Sequence, residues 1–288
     1  MPPHGPRPLA DPLVECYDFR AEANGSDYEV RVGLPSSYHQ GTGRYPVLLV
    51  LDADLMFGTT HETTMIEALW SLAPLGYETP RVAEVIVVGI ALPDRQTNPF
   101  RRNFEYMPDG NPAEYAPETV AYLARVKEMT GAEPRYGGAP TLQNVLAGDL
   151  LPFIERRYRV DPTRRIFFGQ SAGGTFGCYT LLTRPELFSD YVIVSPGMTD
   201  QGLFRLEAAW AERHADLRAK VFLSAGEREV LDPFGIAGNT VRLAEKLSAR
   251  RYPGLDLETW IVPGASHVQT AAPSLARGLR FFAAATRR

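Results

Sequence analysis

The chain has 288 residues, of which 44% are hydrophobic, 10% aromatic and 22% charged, so it can bury one large core or two modest ones. This composition excludes fibrous, collagen-like and disordered proteins. Its 30 basic and 34 acidic residues leave a net charge of −4, which provides no general attraction to nucleic acid or anionic lipid.

The sequence shows no sign of a metal site, a disulfide scaffold or a membrane anchor. Its two cysteines, Cys16 and Cys178, are far apart and lack metal-ligand spacing. The N-terminus has no apolar signal-peptide region, and no apolar run approaches the ~20 residues needed to cross a bilayer. We therefore expect a cytoplasmic protein without a cofactor, metal, nucleic-acid partner or membrane partner. The sequence leaves its oligomeric state open.

Strands and helices alternate along most of the chain. The proline-rich residues 1–16 are predicted to form a tail, and residues 17–288 a single domain. Apolar patterning predicts a half-exposed strand at 28–34 and buried strands at 46–51, 85–92, 165–168, 191–194, 220–224 and 259–262. Helical spacing occurs at about 62–75, 117–130, 141–158, 172–184, 239–251 and 271–285. This order predicts an α/β fold, with a doubly wound, mostly parallel sheet and helices on both faces.

A long excursion, residues 93–138, interrupts this alternation and contains one predicted helix. Connections of that length usually form functional loops or are disordered. Six apolar or aromatic residues of the excursion and of a later segment are expected either to line an acyl pocket or lid or to fill the core: Tyr106, Met107, Tyr115, Leu203, Phe204 and Trp210.

The motif Gly169-x-Ser171-x-Gly173 lies between a buried strand and a helix. A serine at the apex of so sharp a turn needs a strained backbone, and side chains at the two glycines would collide with the neighbouring elements. The helix that begins at Ala172 directs its N-terminal amides to the place where an oxyanion would form. This arrangement is typical of a serine nucleophile.

A serine hydroxyl needs a base to accept its proton. Among the five histidines we favour His267, because it lies between the last predicted strand and the last helix, where a doubly wound hydrolase presents its base. His4 lies in the tail, His39 in a polar loop and His214 on a solvated helix face. His61 remains a minor candidate for a substrate contact.

The acid that orients the base is expected in the loop after the preceding strand, at residues 224–233. Three carboxylates compete there. We favour Glu229, three residues after Gly226, because a tight turn at the glycine would direct it inward. Glu227 and Asp232 remain alternatives, and all three also fit a solvated surface loop.

Acyl transfer needs two backbone donors for the oxyanion. The residue after the nucleophile, Ala172, supplies the first. The second is expected where the chain leaves an earlier central strand, from the amide of Asp54 or, as second choice, of Ala53. A metal site made of Asp52, Asp54 and His61 has little support, because no helical pair of ligands accompanies it.

Six motifs occur in a fixed order along the chain: Tyr45-Pro-Val-Leu-Leu-Val-Leu-Asp-Ala-Asp54, Val87-Val-Gly-Ile-Ala-Leu92, Arg101-Arg-Asn-Phe104, Gly169-Gln-Ser-Ala-Gly-Gly174, Ser195-Pro-Gly197 and Gly264-Ala-Ser-His267. In that order they resemble motifs of the putative esterase family of the α/β-hydrolase superfamily. That family includes siderophore esterases, feruloyl esterases, S-formylglutathione hydrolases and mycolyltransferases. The resemblance runs from Tyr17 to Phe282 and implies an α/β-hydrolase fold with Ser171 as nucleophile, His267 as base, Glu229 as acid and the amides of Asp54 and Ala172 as oxyanion hole.

The chain departs from the family pattern at four places. Leu51-Asp-Ala53 replaces the common Leu-Asp-Gly, and Arg102-Asn-Phe104 replaces Arg-Asp before an aromatic residue. Ser195-Pro-Gly-Met198 lacks the tryptophan that follows Ser-Pro-Ser in siderophore esterases, which argues against that substrate. Gln170 replaces a frequent histidine, and its side chain is expected to lie outside the chemistry.

The sequence therefore predicts a serine hydrolase that cleaves a small-molecule carboxylic ester through an acyl-enzyme. The alternatives are a siderophore trilactone esterase, an acyltransferase of the same fold and a non-catalytic binding domain. Arg101, Arg102 and Tyr106 are predicted to contact the substrate, and Arg95 and Arg228 are further candidates at the mouth.

Overall fold

The computed structural model describes residues 11–72, 80–94, 98, 100–109, 117–131, 133, 135–197, 200–232 and 234–285. Most of the predicted tail, together with Arg95 and Tyr115, lies outside these ranges. Within them, no helix is long and apolar enough to span a bilayer.

Eight strands of the described residues form one sheet, in the order β1-β2-β4-β3-β5-β6-β7-β8. The two pairs that involve β2 are antiparallel, and all other pairs are parallel. The prediction of a doubly wound, mostly parallel sheet is therefore confirmed. The strands are β1 (Val14–Arg20), β2 (Asp27–Gly33), β3 (Tyr45–Leu51), β4 (Ile86–Ala91), β5 (Val160–Gln170), β6 (Asp190–Val194), β7 (Ala219–Gly226) and β8 (Leu255–Val262).

Helices cover both faces of the sheet. Alternate residues of a strand point to opposite faces; accordingly, Leu49 and Phe167 belong to the larger core on one face, and Leu48 and Phe168 to the core on the other. α1 and α9 pack on the smaller core, and α4 to α8 on the larger. The helices are α1 (Ala53–Leu72), α2 (Arg101–Tyr106), α3 (Pro117–Thr130), α4 (Ala139–Asn144), α5 (Leu151–Arg157), α6 (Ala172–Leu181), α7 (Asp200–Arg213), α8 (Ile236–Arg250) and α9 (Ala271–Ala285), with one π-helical stretch at Val145–Leu150 between α4 and α5.

The structure adds β1, α2 and α7 to the predicted elements, and several elements, α1 most of all, begin earlier than predicted. β1 begins at Val14, inside the predicted tail, and was missed because this half-exposed edge strand has no continuous apolar run. α1 begins at Ala53 instead of about residue 62, because one glycine and two threonines in its first turns weaken the helical pattern. The early start places the N-terminus of α1 directly after β3.

The carboxyl ends of the parallel strands meet at one edge of the sheet. At that edge β3 ends at Leu51, β5 at Gln170, β7 at Gly226 and β8 at Val262. Each of these ends leads within a few residues to a predicted site residue. The topology thus gathers residues that lie more than 200 positions apart in the chain.

Candidate active site

Ser171 occupies the turn between β5 and α6 with a strained backbone. Its φ of 59° and ψ of −122° are unusual for a residue with a side chain. A Cβ on Gly169 would collide with the carbonyl of Gly173, whereas one on Gly173 would make ordinary contacts. Crowding is therefore confirmed at the first glycine but not at the second. Gly174 is the other crowded position, where a Cβ would lie 2.5 Å from the Val194 carbonyl oxygen.

An imidazole and a carboxylate form a close pair near this turn. Nδ1 of His267 lies 2.5 Å from Oε1 of Glu229, and the other carboxylate oxygen accepts hydrogen bonds from the Gly226 amide (2.5 Å) and the Ser195 hydroxyl (2.8 Å). Glu229 is buried, whereas the His267 side chain is 36% exposed. One side of the imidazole is thus fixed and the other is accessible.

The two alternative acids have other partners. Glu227 accepts a hydrogen bond from the Gly264 amide at 2.6 Å, and Asp232 accepts one from the Phe234 amide at 2.7 Å. Among the described acids of this loop, only Glu229 is paired with the imidazole.

The surroundings of Glu229 keep its carboxyl group ionised. Burial raises the pKa of Glu229, but hydrogen bonds from His267, the Gly226 amide and Ser195 outweigh burial and hold that pKa below its usual value. An ionised carboxylate only accepts hydrogen bonds, so Nδ1 of His267 carries the proton that they share. Nε2 is then available to accept another proton.

Gln170 connects the nucleophile turn to the base. Its side-chain Nε2 donates a hydrogen bond to the backbone oxygen of His267 at 2.5 Å. Since Gln170 immediately precedes Ser171, this bond brings the turns that carry the serine and the histidine into contact. No pattern in the sequence predicts this contact.

Two helix N-termini converge beside Ser171. β3 and β5 are parallel neighbours. α1 begins two residues after the end of β3, and α6 begins two residues after the end of β5. In α1 the amides of Leu55 and Met56 bond to the Asp52 carbonyl at 2.9 and 2.8 Å. The amides of Ala53 and Asp54, which precede them, are therefore the candidates for the second oxyanion donor beside that of Ala172.

The turn between β3 and α1 is held by a bidentate ion pair. Asp52, at φ 56°, binds Nε and Nη2 of Arg102 at 2.6 and 2.7 Å, and its amide donates to the Tyr106 hydroxyl at 3.2 Å. Nη2 of Arg102 also lies 3.5 Å from the Gln170 carbonyl oxygen. One guanidinium thus links the ends of β3 and β5, from which the two helices begin.

Comparisons with known proteins show similarity to esterases. A family model described as a putative esterase matches residues 105–232. The ferri-bacillibactin esterase BesA of Bacillus subtilis is 29% identical over 278 residues, which cover 94% of this chain and 89% of that protein. The crystal structure of the BES protein from Bacillus cereus superposes with a TM-score of 0.77 at 22% identity, over 98% of both chains. The chain is therefore similar to putative esterases and has an α/β-hydrolase fold.

Two fungal proteins extend the comparison. The siderophore triacetylfusarinine C esterase of Aspergillus fumigatus is 26% identical over 72% of this chain and 64% of its own length. The siderophore hydrolase EstA of Aspergillus nidulans has the same fold, with a TM-score of 0.77 at 19% identity over 99% of both chains. The resemblance identified from the motifs is therefore confirmed.

The predicted substrate contacts of the esterase have internal partners. Arg101 binds Asp94 and Glu105, each at 2.7 Å, and Arg102 binds Asp52. Tyr106 is only 1% exposed, so it offers no surface to a ligand in this structure. Arg101 supports the excursion, and Arg102 and Tyr106 support the β3–α1 turn. The sequence did not predict the latter contacts because Asp52 is 50 residues from Arg102.

Other residues considered from the sequence also have structural positions. His61 is buried in α1, where it stacks on Phe57 and its Nε2 lies 3.1 Å from the Leu34 carbonyl oxygen, so it is a packing residue. Leu203 and Trp210 are buried in the larger core. The described residues hold no group of three metal-ligating side chains that could bind an ion.

The Asp52–Arg102 pair gives a stability prediction. Arg102→Met will remove two charge-assisted hydrogen bonds from the mostly buried Asp52 carboxylate, which costs about 3 to 5 kcal/mol of unfolding free energy. Arg20→Met is the matched control, because Arg20 pairs with Asp27 on the surface (68% and 65% exposed). Its loss should cost at most about 1 kcal/mol. Urea titrations of both variants measure the difference, and equal costs would contradict a structural role for Arg102.

Proposed function

We propose that the chain is a serine esterase that hydrolyses a carboxylic ester, with Ser171 as nucleophile, His267 as general base and Glu229 as the acid that orients the base. The observation that carries this proposal is the 2.5 Å contact between the buried, ionised Glu229 and His267. The His267 backbone is in turn hydrogen-bonded to Gln170, which immediately precedes the strained Ser171. These are the parts of a catalytic triad.

In the first half-reaction, Nε2 of His267 takes the proton of the Ser171 hydroxyl while its oxygen attacks the ester carbonyl carbon. The amides of Ala172 and of Asp54 or Ala53 stabilise the oxyanion. The bond to the alcohol oxygen then breaks, and His267 returns its proton to that oxygen. The alcohol leaves, and the acyl group remains on Ser171.

In the second half-reaction, His267 takes a proton from a water molecule, whose oxygen attacks the acyl carbon. The new tetrahedral intermediate collapses when the Ser171 oxygen leaves and receives the proton from His267. The carboxylic acid product departs, and the enzyme returns to its starting state. Throughout, Glu229 stabilises the imidazolium without itself becoming protonated.

For the substrate we propose a siderophore ester, because the similarity to siderophore esterases over most of the chain outweighs the missing tryptophan after Ser195-Pro-Gly197. Two curated relatives are described as esterases of ferri-bacillibactin and of triacetylfusarinine C. Exposed apolar side chains fit a bulky, partly apolar ester: Leu55, Val230 and Val268 are 68%, 68% and 82% exposed and directly follow Asp54, Glu229 and His267. Such side chains at the mouth can contact aryl groups of the substrate.

A substrate panel tests this proposal. Purified protein is incubated with a tris-catecholate trilactone, in its ferric and iron-free forms, and with p-nitrophenyl acetate, and the products are identified by mass spectrometry. We expect opening of the trilactone to linear esters, with kcat/KM about tenfold or more above that for the acetate. Hydrolysis of the acetate alone would overturn the siderophore assignment. Hydrolysis of neither, or predominant transfer to an added alcohol, would overturn the esterase assignment.

A further inference from the structure

The side chain of Gln170 makes two hydrogen bonds at the active site. Nε2 donates to the backbone oxygen of His267 at 2.5 Å and to Oγ1 of Thr270 at 3.0 Å. An amide nitrogen has two protons, so both bonds form at once. One side chain thereby contacts both ends of the turn that begins with the catalytic histidine.

Thr270 continues the contact towards the acid. Its hydroxyl is fully buried and lies 2.9 Å from the His267 carbonyl oxygen and 3.2 Å from the Ser195 hydroxyl. Ser195 in turn donates to Oε2 of Glu229 at 2.8 Å, and Oε1 of Glu229 binds His267. These five residues form a closed ring of hydrogen bonds, here called the Gln170 ring.

Two hydrogen bonds of the Gln170 ring, those made by Glu229 and by Gln170, have a fixed donor. The Glu229 carboxylate only accepts, so Ser195 must donate to it, and the Gln170 amide nitrogen only donates. Thr270, between them, can direct its single proton to either neighbouring oxygen. Ser195 holds its position with a φ of 47°, a conformation that a residue with a side chain rarely adopts. Strain of this kind persists only when the surrounding contacts require it.

The sheet alone does not hold the base against the nucleophile. β5 carries Ser171 and β8 leads to His267, but β6 and β7 lie between them. The His267 turn bonds to its neighbour, the acid loop, through the Arg228 amide and the Ala265 carbonyl oxygen at 3.0 Å. Gln170 is the side chain that spans the remaining distance, from the end of β5 to the His267 backbone.

We propose that Gln170 is a positioning residue that holds His267, through its backbone and through Thr270, in register with Ser171. This inference rests on the proposed esterase function and adds a residue to it. Because a displacement of about 1 Å at a reacting group can cost about 100-fold in rate, loss of the bridge should lower kcat rather than substrate binding.

Two variants and one matched control test the proposal. Gln170→Met keeps the length of the side chain and removes both donors, and Gln170→Glu keeps its shape but places a carboxylate against the His267 carbonyl. The control is Gln143→Met: Gln143 is buried, whereas Gln170 is half-buried, and its Nε2 likewise donates two hydrogen bonds, to the hydroxyls of Thr180 and Thr183 at 3.2 and 2.9 Å, between α4 and the C-terminal end of α6, outside the Gln170 ring.

We expect Gln170→Met to lower kcat for p-nitrophenyl acetate by about 30-fold to 100-fold, with KM changed by less than about threefold. Gln143→Met should lower the melting temperature about as much as Gln170→Met does, but it should leave kcat unchanged. For Gln170→Glu, kcat relative to wild type should recover as the pH falls, because the protonated carboxyl regains one donor. A purely structural role would not produce that pH dependence.

The outcomes separate this inference from the esterase assignment. If wild type hydrolyses the ester and Gln170→Met keeps kcat within about twofold of it, the positioning role is overturned and the esterase function stands. If both Gln170 variants lose no more activity than Gln143→Met, the same conclusion follows. If wild type hydrolyses no ester, the proposed function fails, and the positioning role fails with it.

Discussion

Exchange of Ser171 for alanine will lower kcat for ester hydrolysis by about six orders of magnitude, because the acyl-enzyme has no other hydroxyl on which to form. The fold should remain, since alanine removes only one oxygen from a position whose neighbours are set by Gly169 and Gly174. Steady-state assays with p-nitrophenyl acetate and circular dichroism measure the two quantities.

The matched control is Ser248→Ala. Ser248 lies exposed on α8, outside the site, so its loss should leave kcat and KM unchanged. Activity of Ser171→Ala within about tenfold of wild type would contradict covalent catalysis by Ser171 and would assign the reaction to a different nucleophile.

Replacement of Glu229 by glutamine will lower kcat by about four orders of magnitude. The reason lies in the two donors at Oε2, the Gly226 amide and the Ser195 hydroxyl. A carboxamide must turn its oxygen to these donors and its NH₂ group to Nδ1 of His267. Nδ1 then accepts, the ring proton moves to Nε2, and the imidazole can no longer take the proton of Ser171.

Glu227→Gln and Asp232→Asn are the controls for this variant, since they are the alternative acids of the same loop. Both should keep kcat within about threefold of wild type. A large loss in either of them, combined with an active Glu229→Gln, would transfer the orienting role to another carboxylate.

Glu229 also makes stability depend on pH. Because its pKa is lower in the folded than in the unfolded protein, its stabilising contribution is present above the unfolded value of about 4.3 and is lost as the pH falls through the folded value. The unfolding free energy of wild type should therefore approach that of Glu229→Gln as the pH falls from about 5 through the folded pKa, whereas the difference should be constant at higher pH. A difference that stays constant over this range would contradict the lowered pKa.

The parts of the fold that sequence predicted are those specified by local pattern. The runs at 46–51 and 191–194 are apolar on both faces, and β3 and β6 form there because only a strand covered on both sides buries them. The glycine-flanked Ser171 likewise depends on neighbours in the chain. Chain order then led to His267 and Glu229, because successive parallel strands end at the same edge.

The parts that sequence did not predict depend on contacts between distant residues. Gln170 is 97 residues from His267, and the Arg102 side chain binds a carboxylate 50 residues away. No local pattern marks a glutamine that donates to a histidine backbone or an arginine bound to Asp52. Both residues are ordinary surface types in the sequence, and only the closure of the sheet brings them to the site.

The most direct test of the central claim, that His267 activates Ser171 for covalent attack, is reaction of the native protein with a fluorophosphonate followed by peptide mapping. We expect one adduct, on Ser171, which is lost in the Ser171→Ala variant and forms far more slowly in His267→Ala. Ester hydrolysis without an adduct on Ser171, or an equally fast adduct in His267→Ala, would contradict the claim.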